Sequence, residues 1–184
     1  TPFNDNWGST EALQGFDREQ QNRLKQEAFY KTGTRCFNRQ GFNGTSLEEI
    51  AEHLDVSKGA FYYHIKNKED LLYNCYSRSL DIIEAVHERA DQEKTNGLAK
   101  VERSCRRIFH VQNSDEGPLI RYNTITALPT PRRRKILDRT ELVNGRFGDF
   151  IHQGINLIRL GFLIGIDVED EIVKNCRNTR FKLP

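Results

Sequence analysis

Between Asp55 and Glu69 the chain carries Lys58, Lys66 and Lys68, adjacent tyrosines at 62 and 63, and His64, with no acid among them. Hydroxyls, an imidazole and ammonium groups in one short run suit phosphate binding: each can donate a hydrogen bond, and lysine adds positive charge. The spacing sorts these residues. In a helix over 57–65, Phe61 and Ile65 stand at i and i+4 on one face, and with Val56 they turn inward against Ile50, Ala51 and Leu54. Lys58, Gly59, Tyr62, Tyr63 and His64 are left on the other faces. Gly59 and Ala60 open the helix with little side-chain burial, which makes sense where another molecule must approach the backbone closely. Backbone N–H groups at a helix start bind phosphate as well.

Catalytic and metal-binding signals are absent. His53, His64, His87, His110 and His152 are scattered, and there is no H-E-x-x-H, G-x-S-x-G, P-loop or G-x-G-x-x-G pattern. Cys36, Cys75, Cys105 and Cys176 form no C-x-x-C pair, so they are expected to be buried reduced thiols rather than zinc ligands or a disulfide framework. The expectation is a protein that is not an enzyme, with no catalytic residues, no cofactor and no metal.

The elements that must position the 57–65 helix can be read around it. From Arg18 to Arg39 apolar or small residues recur every three to four positions, at 24, 28/29, 32/33 and 36/37, which predicts a helix with one buried face. Gly41 stands where a helix C-terminal glycine belongs. Thr45-Ser46-Leu47-Glu48 fits a capping box opening a short helix over 46–54. Leu54-Asp55-Val56 is a tight turn. Ser57 caps the next helix, and Asn67 a long one from 68 to about 93, with Glu69 and Asp70 in its first turn. Two short helices across a three-residue turn, backed by a longer one, make a helix-turn-helix.

The run Gly41-Phe42, Thr45-Ser46-Leu47, Ile50-Ala51, then Leu54 through Leu72 resembles the DNA-binding domain of TetR-type transcriptional regulators, and the resemblance covers residues 18–80. It implies that Thr45 and Ser46 touch backbone phosphate. It also implies that Lys58, Gly59, Ala60 and Tyr63, on the helix opened by Ser57, face base edges in the major groove. Tyr62, His64 and Lys68 would hold phosphates. Asp55, Leu47 and Glu48 depart from the family pattern. Asp55 stands where glycine is usual, although aspartate tolerates a left-handed turn. Leu47 and Glu48 stand where some members are polar or basic; Glu48 would repel phosphate, or accept from cytosine if it reached a base.

Past Asn96-Gly97 the sequence predicts further helices over 98–112, 117–128, 131–144 continuing toward 160, and 167–178, and no strand alternates convincingly. The fold class expected is all-α: a flexible arm over 1–17, a three-helix DNA-binding domain over 18–67, and a helical ligand-binding and dimerisation domain over 68–184. Phe109, Tyr122 and Phe147 read as core or as walls of an apolar pocket, with His110 and Tyr122 able to orient a small molecule. Pro131 to Lys135 carries four positive charges in five residues. It reads as a solvated face or as a site for an anion. The glycine-rich stretch 142–166 could form a helix-helix interface. The resemblance implies a homodimer built there, reading an approximately palindromic double-stranded DNA operator, and most often a repressor released by a small, largely apolar effector. The competing reading is a helical dimeric adaptor, or a small-molecule-binding protein, without DNA binding.

Composition supports a folded chain. The 184 residues are enough to bury a core. No apolar run reaches the roughly 18–20 residues that cross a bilayer: Ile155 to Ile166 is broken by Asn156, Arg159, Gly161 and Gly165. A cytoplasmic protein with no membrane partner is expected. The net charge of +2 is near neutral, so any nucleic-acid contact must come from local placement.

Overall fold

The computed structural model of the protein describes residues 10–163, with side chains over 18–156. Among the described residues, six α-helices and one 3-10 helix account for the regular structure: α1 (Thr10–Gly44), α2 (Leu47–His53), α3 (Lys58–His64), α4 (Lys68–Gln92), α5 (Gly97–Gln112), the 3-10 helix (Tyr122–Ala127) and α6 (Thr130–Leu163). No strand occurs among the described residues, so the all-α expectation holds. No helix among them is long and apolar enough to cross a membrane.

The first helix starts at Thr10, ahead of Arg18 where its apolar periodicity begins. The arm expected over 1–17 lies outside the described residues as far as position 9. At the other end, Gly41 adopts φ 72°, a left-handed conformation that glycine takes without Cβ strain, and the helix kinks there. The kink turns the chain into α2. The next four helices each have a side-chain cap, the first three of them expected from the sequence: Ser46 Oγ accepts from the N–H of Glu49, Ser57 Oγ from Ala60, Asn67 Oδ1 from Asp70 and Asn96 Oδ1 from Ala99.

One continuous core joins the short helices to the body. Phe29 and Phe37 of α1, Ile50 and Ala51 of α2, Phe61 of α3 and Ile65 just after it all lie within a few per cent of full burial. Leu71, Leu72, Tyr76 and Leu80 of α4 continue this core toward Ile120, Leu128, Ile136 and Val143. The long helix α4 therefore belongs to both halves. At the far end α5 and α6 cross closely. A Cβ on Gly97 would sit 2.1 Å from the Phe150 carbonyl oxygen, so only glycine fits.

Two expectations are corrected. Residues 117–128 are not one helix: an extended strap leads into the 3-10 turn. Along the strap the N–H groups of Leu119, Ile120 and Arg121 donate to Gln112 Oε1, Ser79 Oγ and Asn38 Oδ1. The Leu119 carbonyl accepts from Asn38 Nδ2, and the Arg121 carbonyl from the Tyr76 hydroxyl. Side chains from α1, α4 and α5 thus satisfy backbone groups that a helix would have paired within itself. The thiols are not uniformly buried either. Cys36 and Cys75 are buried and Cys105 is exposed, because its place on α5 faces away from the core; Cys176 lies outside the described residues. So does the helix expected over 167–178.

The basic run at 131–135 opens α6 and is partly consumed within the fold. Arg132 pairs with Asp70 at 3.0 Å and stacks over the Tyr73 ring. Further along α6, Arg139 bridges Asp81 and Glu84, and Arg146 reaches Glu88. The acidic face of α4 and the basic face of α6 are complementary, and Arg139 holds the Glu84 carboxyl below the usual carboxylate range.

Candidate nucleic-acid interface

The two short helices meet across Leu54–Val56. Asp55 has φ 51°, the left-handed conformation the turn requires, reached here without glycine. Behind the second helix Phe61 is fully buried, its ring centroid 5.0 Å from Phe29 in an edge-to-face contact. Ile65 is equally sealed. Burying these two residues fixes the rotation of α3, and that rotation decides what is exposed. Lys58, Gly59, Ala60, Tyr62 and Tyr63 lie on the outer face, Tyr63 at 82% exposure, and a Cβ on Gly59 would meet open space. Ser57 is exposed while its hydroxyl caps the helix. His64 is half-buried, its ring against Phe29 and Tyr63.

Four of the expected contact residues, Thr45, Ser46, Tyr62 and Lys68, donate side-chain hydrogen bonds within the protein. Thr45 is buried, and its hydroxyl donates to the Gly41 carbonyl at 2.8 Å. The kink at Gly41 turns the hydroxyl inward, away from the outer face of α3. Lys68 donates from Nζ to the Thr45 carbonyl at 2.9 Å and sits over the Phe42 ring. It clamps the start of α2 onto α4, leaving its remaining ammonium protons for other acceptors. The Tyr62 hydroxyl donates to Glu48 Oε1 at 3.0 Å, and Ser46 Oγ donates to Glu48 Oε2.

Glu48 is thus a local acceptor tying α2 to α3. Its backbone N–H, then Ser46 and Tyr62, hold its carboxyl below the usual range, while the bond to Glu48 raises the Tyr62 phenol. The sequence marks Glu48 as the misplaced charge on this surface but gives no sign of its partner.

The four residues expected to meet a small molecule are only half assembled. Phe109 and Phe147 line one groove of about 460 Å³ between α4, α5 and α6, with Ile83, His87, Cys105 and Ile108. His110 is exposed on α5 away from it, and Tyr122 hydrogen-bonds Thr140 and lies beside Tyr76. Sequence reasoning missed His87, although its place four residues after Ile83 puts it on the inner face of α4. It is 3% exposed, its ring stacks on Phe147 at 5.5 Å, and burial lowers its pKa. Among the described residues no cluster of three or more His, Cys, Asp or Glu could hold a metal ion.

Residues 29–74 match the family model described as bacterial regulatory proteins, tetR family. Over 48 residues the chain is 50% identical to the uncharacterized HTH-type transcriptional regulator YerO of Bacillus subtilis, covering 26% of this chain and 17% of that protein. Over 66 residues it is 39% identical to the transposon Tn10 TetC protein of Escherichia coli, covering 36% of this chain and 33% of that one. The chain therefore matches a third or less of the length of these relatives. In fold it is similar to the ketosteroid transcriptional regulator KstR2 of Mycobacterium tuberculosis, with a TM-score of 0.61 at 20% identity over 72% of this chain and 68% of the other. Over residues 29–74 the chain is therefore similar to the tetR family of bacterial regulatory proteins.

Proposed function

We propose that the protein is a transcriptional regulator, acting as a repressor, that binds double-stranded DNA through α3 and lets go when a small molecule occupies its helical body. One observation carries the reading: Phe61 and Ile65 are sealed while Lys58, Gly59, Ala60, Tyr62 and Tyr63 share the outer face of the same short helix. Small residues at the start of that face let it enter the major groove closely, and Tyr63 and Lys58 reach base edges and phosphates. Ser46, Ser57, His64 and Lys68 flank it as phosphate contacts. Tyr62 exchanges its bond to Glu48 for a phosphate oxygen on docking.

Residues 18–67 act as the DNA-binding domain and 68–184 as the ligand-binding and dimerisation domain, working in the cytoplasm where the DNA is. Support for a homodimer comes from α6. Leu137, Leu142, Ile151 and Ile155 are exposed along it, and Cβ atoms on Gly145 and Gly148 would meet open space. Two copies joined there present two α3 helices to an approximate palindrome. The Phe109–Phe147 groove takes an apolar effector, whose differential affinity for two arrangements of α4 shifts the population off DNA.

Fluorescence anisotropy on DNA flanking the protein's own gene tests this. The wild type binds with steep salt dependence, and Lys58→Ala weakens binding to every duplex and lowers the salt slope by about one. Retained affinity in Lys58→Ala and Tyr63→Ala together overturns the reading of α3. A dimer that binds no duplex favours the adaptor.

A further inference from the structure

A second groove, of about 480 Å³, runs between α4 and α5 on a side the reading above does not use. Its floor is apolar, built from Ile82, Val86 and Ala90 of α4 and Val111 of α5. Its rim is charged, with Arg89, Arg103 and Arg107 against Glu93 and Glu116, leaving one net positive charge. Arg103 pairs with Glu93. Arg107 holds both carboxylate oxygens of Glu116, at 2.8 and 2.7 Å, and keeps that carboxyl below the usual range. Arg89 has no carboxylate partner among the described residues. The Nε of Arg103 is buried without a hydrogen-bond partner.

An apolar trough with a surplus guanidinium at its edge matches one chemistry, a carboxylate on an aliphatic chain. The chain covers the floor, and the head group gains charge-assisted bonds from Arg89 and Arg107. A neutral alcohol of equal length would bury the same apolar area without those bonds, and an amine would meet like charge.

The Glu116 end of the groove is wired to the rest of the molecule. Arg78, on α4 and only 6% exposed, donates to the Glu116 backbone carbonyl and, through Nε, to Glu27 of α1. Two residues on, Phe29 packs against Phe61 of α3. Arg78 Nη1 is buried with no partner, so this guanidinium holds a spare donor for a shifted turn at 114–117.

We infer that the α4–α5 groove binds an amphiphilic carboxylate that competes with Glu116 for Arg107, and that the Arg78 clasp reports this exchange to α1. Binding itself is independent of the DNA reading; only the reported consequence rests on it.

Calorimetry on the full chain with decanoate, decanol and decylamine tests the groove. Decanoate should bind at least about tenfold more tightly than decanol, with decylamine weakest. Arg89→Gln and Arg107→Gln should each erase most of that preference while leaving decanol binding unchanged. Glu116→Gln, which removes the internal competitor and keeps all three arginines, should tighten decanoate several-fold. Equal affinity for decanoate and decanol, no binding of either, or indifference of decanoate to both Arg107→Gln and Glu116→Gln overturns the site. In parallel, decanoate should weaken operator binding of the wild type and do so much less in Glu27→Gln. Decanoate binding with operator affinity unmoved removes the clasp and leaves the groove. A protein that binds decanoate and no duplex refutes the DNA reading alone.

Discussion

The module around α2 and α3 and the body formed by α4 to α6 solve different physical problems. In the module, each decision is local. Ser46 and Ser57 cap helices that begin at the next residue, Asp55 makes its own left-handed turn, and Phe61 and Ile65 fix one rotation of one short helix. In the body the decisions are remote. The strap at 119–121 is held by Asn38, Ser79 and Gln112, and α6 is placed by arginines that find acids on α4. A fold written locally exposes its working face in the sequence itself, whereas a fold written remotely hides it.

The sharpest way to break that contrast is to remove the residue on which the local half turns. Phe61→Ala should cost about 3–5 kcal/mol, since it empties a fully buried aromatic site against Phe29. Urea denaturation followed by circular dichroism reads it. A loss below about 1 kcal/mol would show that α3 is oriented by something other than this side chain.

The remote half should break at a crossing. Gly97→Ala places a methyl against the Phe150 carbonyl and the Gly154 backbone nitrogen. Neither atom can swing aside, so α5 must back away from α6, at about 1–3 kcal/mol. The same substitution at Gly59, where a Cβ meets nothing, should leave the fold intact. Thermal melts of the two variants compare them directly.

These two sites also show why legibility was uneven. The helix-turn-helix could be read because caps, turn and apolar spacing all fall within neighbouring residues, and the observed bounds of α2 and α3 differ from the expected ones by a residue or so. The exposed face of α3 followed by subtraction once Phe61 and Ile65 were placed inside. What did not follow was the state of the polar groups on it. Thr45 and Lys68 are occupied because the kink at Gly41 folds the start of α2 under α4, and Glu48 finds Tyr62 fourteen residues away. In the body, the sequence predicts a helix over 117–128, yet the residues after Pro118 stay extended because acceptors and donors from three other helices reach them. Cys105 looked like any other cysteine, and only the packing of α5 exposes it.

His87 offers a smaller test, on the body's side. Burial depresses its pKa below the ordinary 6.5, although the Val143 carbonyl acts in the opposite sense. The unfolded chain therefore takes up the proton first. Stability is fully present above about pH 6.5 and is lost as pH falls from there toward the folded-state pKa, at no more than about 1.4 kcal/mol per pH unit. His87→Leu should flatten this part of the profile, measured as urea midpoints from pH 7.5 down to 5. An unchanged slope would assign it to another group.

The smallest stability effect belongs to the residue on which the functional contrast depends most. Tyr63 is 82% exposed; its recorded ring contact, with His64, lies at 4.9 Å. Tyr63→Ala should shift stability by no more than about 0.5 kcal/mol, the usual range for a surface substitution. A large aromatic so exposed does little for the fold, so its presence beside Lys58, Gly59 and Ala60 needs another reason. If that reason is a base edge, the substitution should cost about 1–3 kcal/mol of operator affinity and relax discrimination at one base position, read by anisotropy on singly substituted duplexes. A measurable loss of stability instead, with duplex affinity and base preference intact, would move Tyr63 from the face that recognises to the frame that holds. The outer surface of α3 would then be as silent in the sequence as the strap at 119–121.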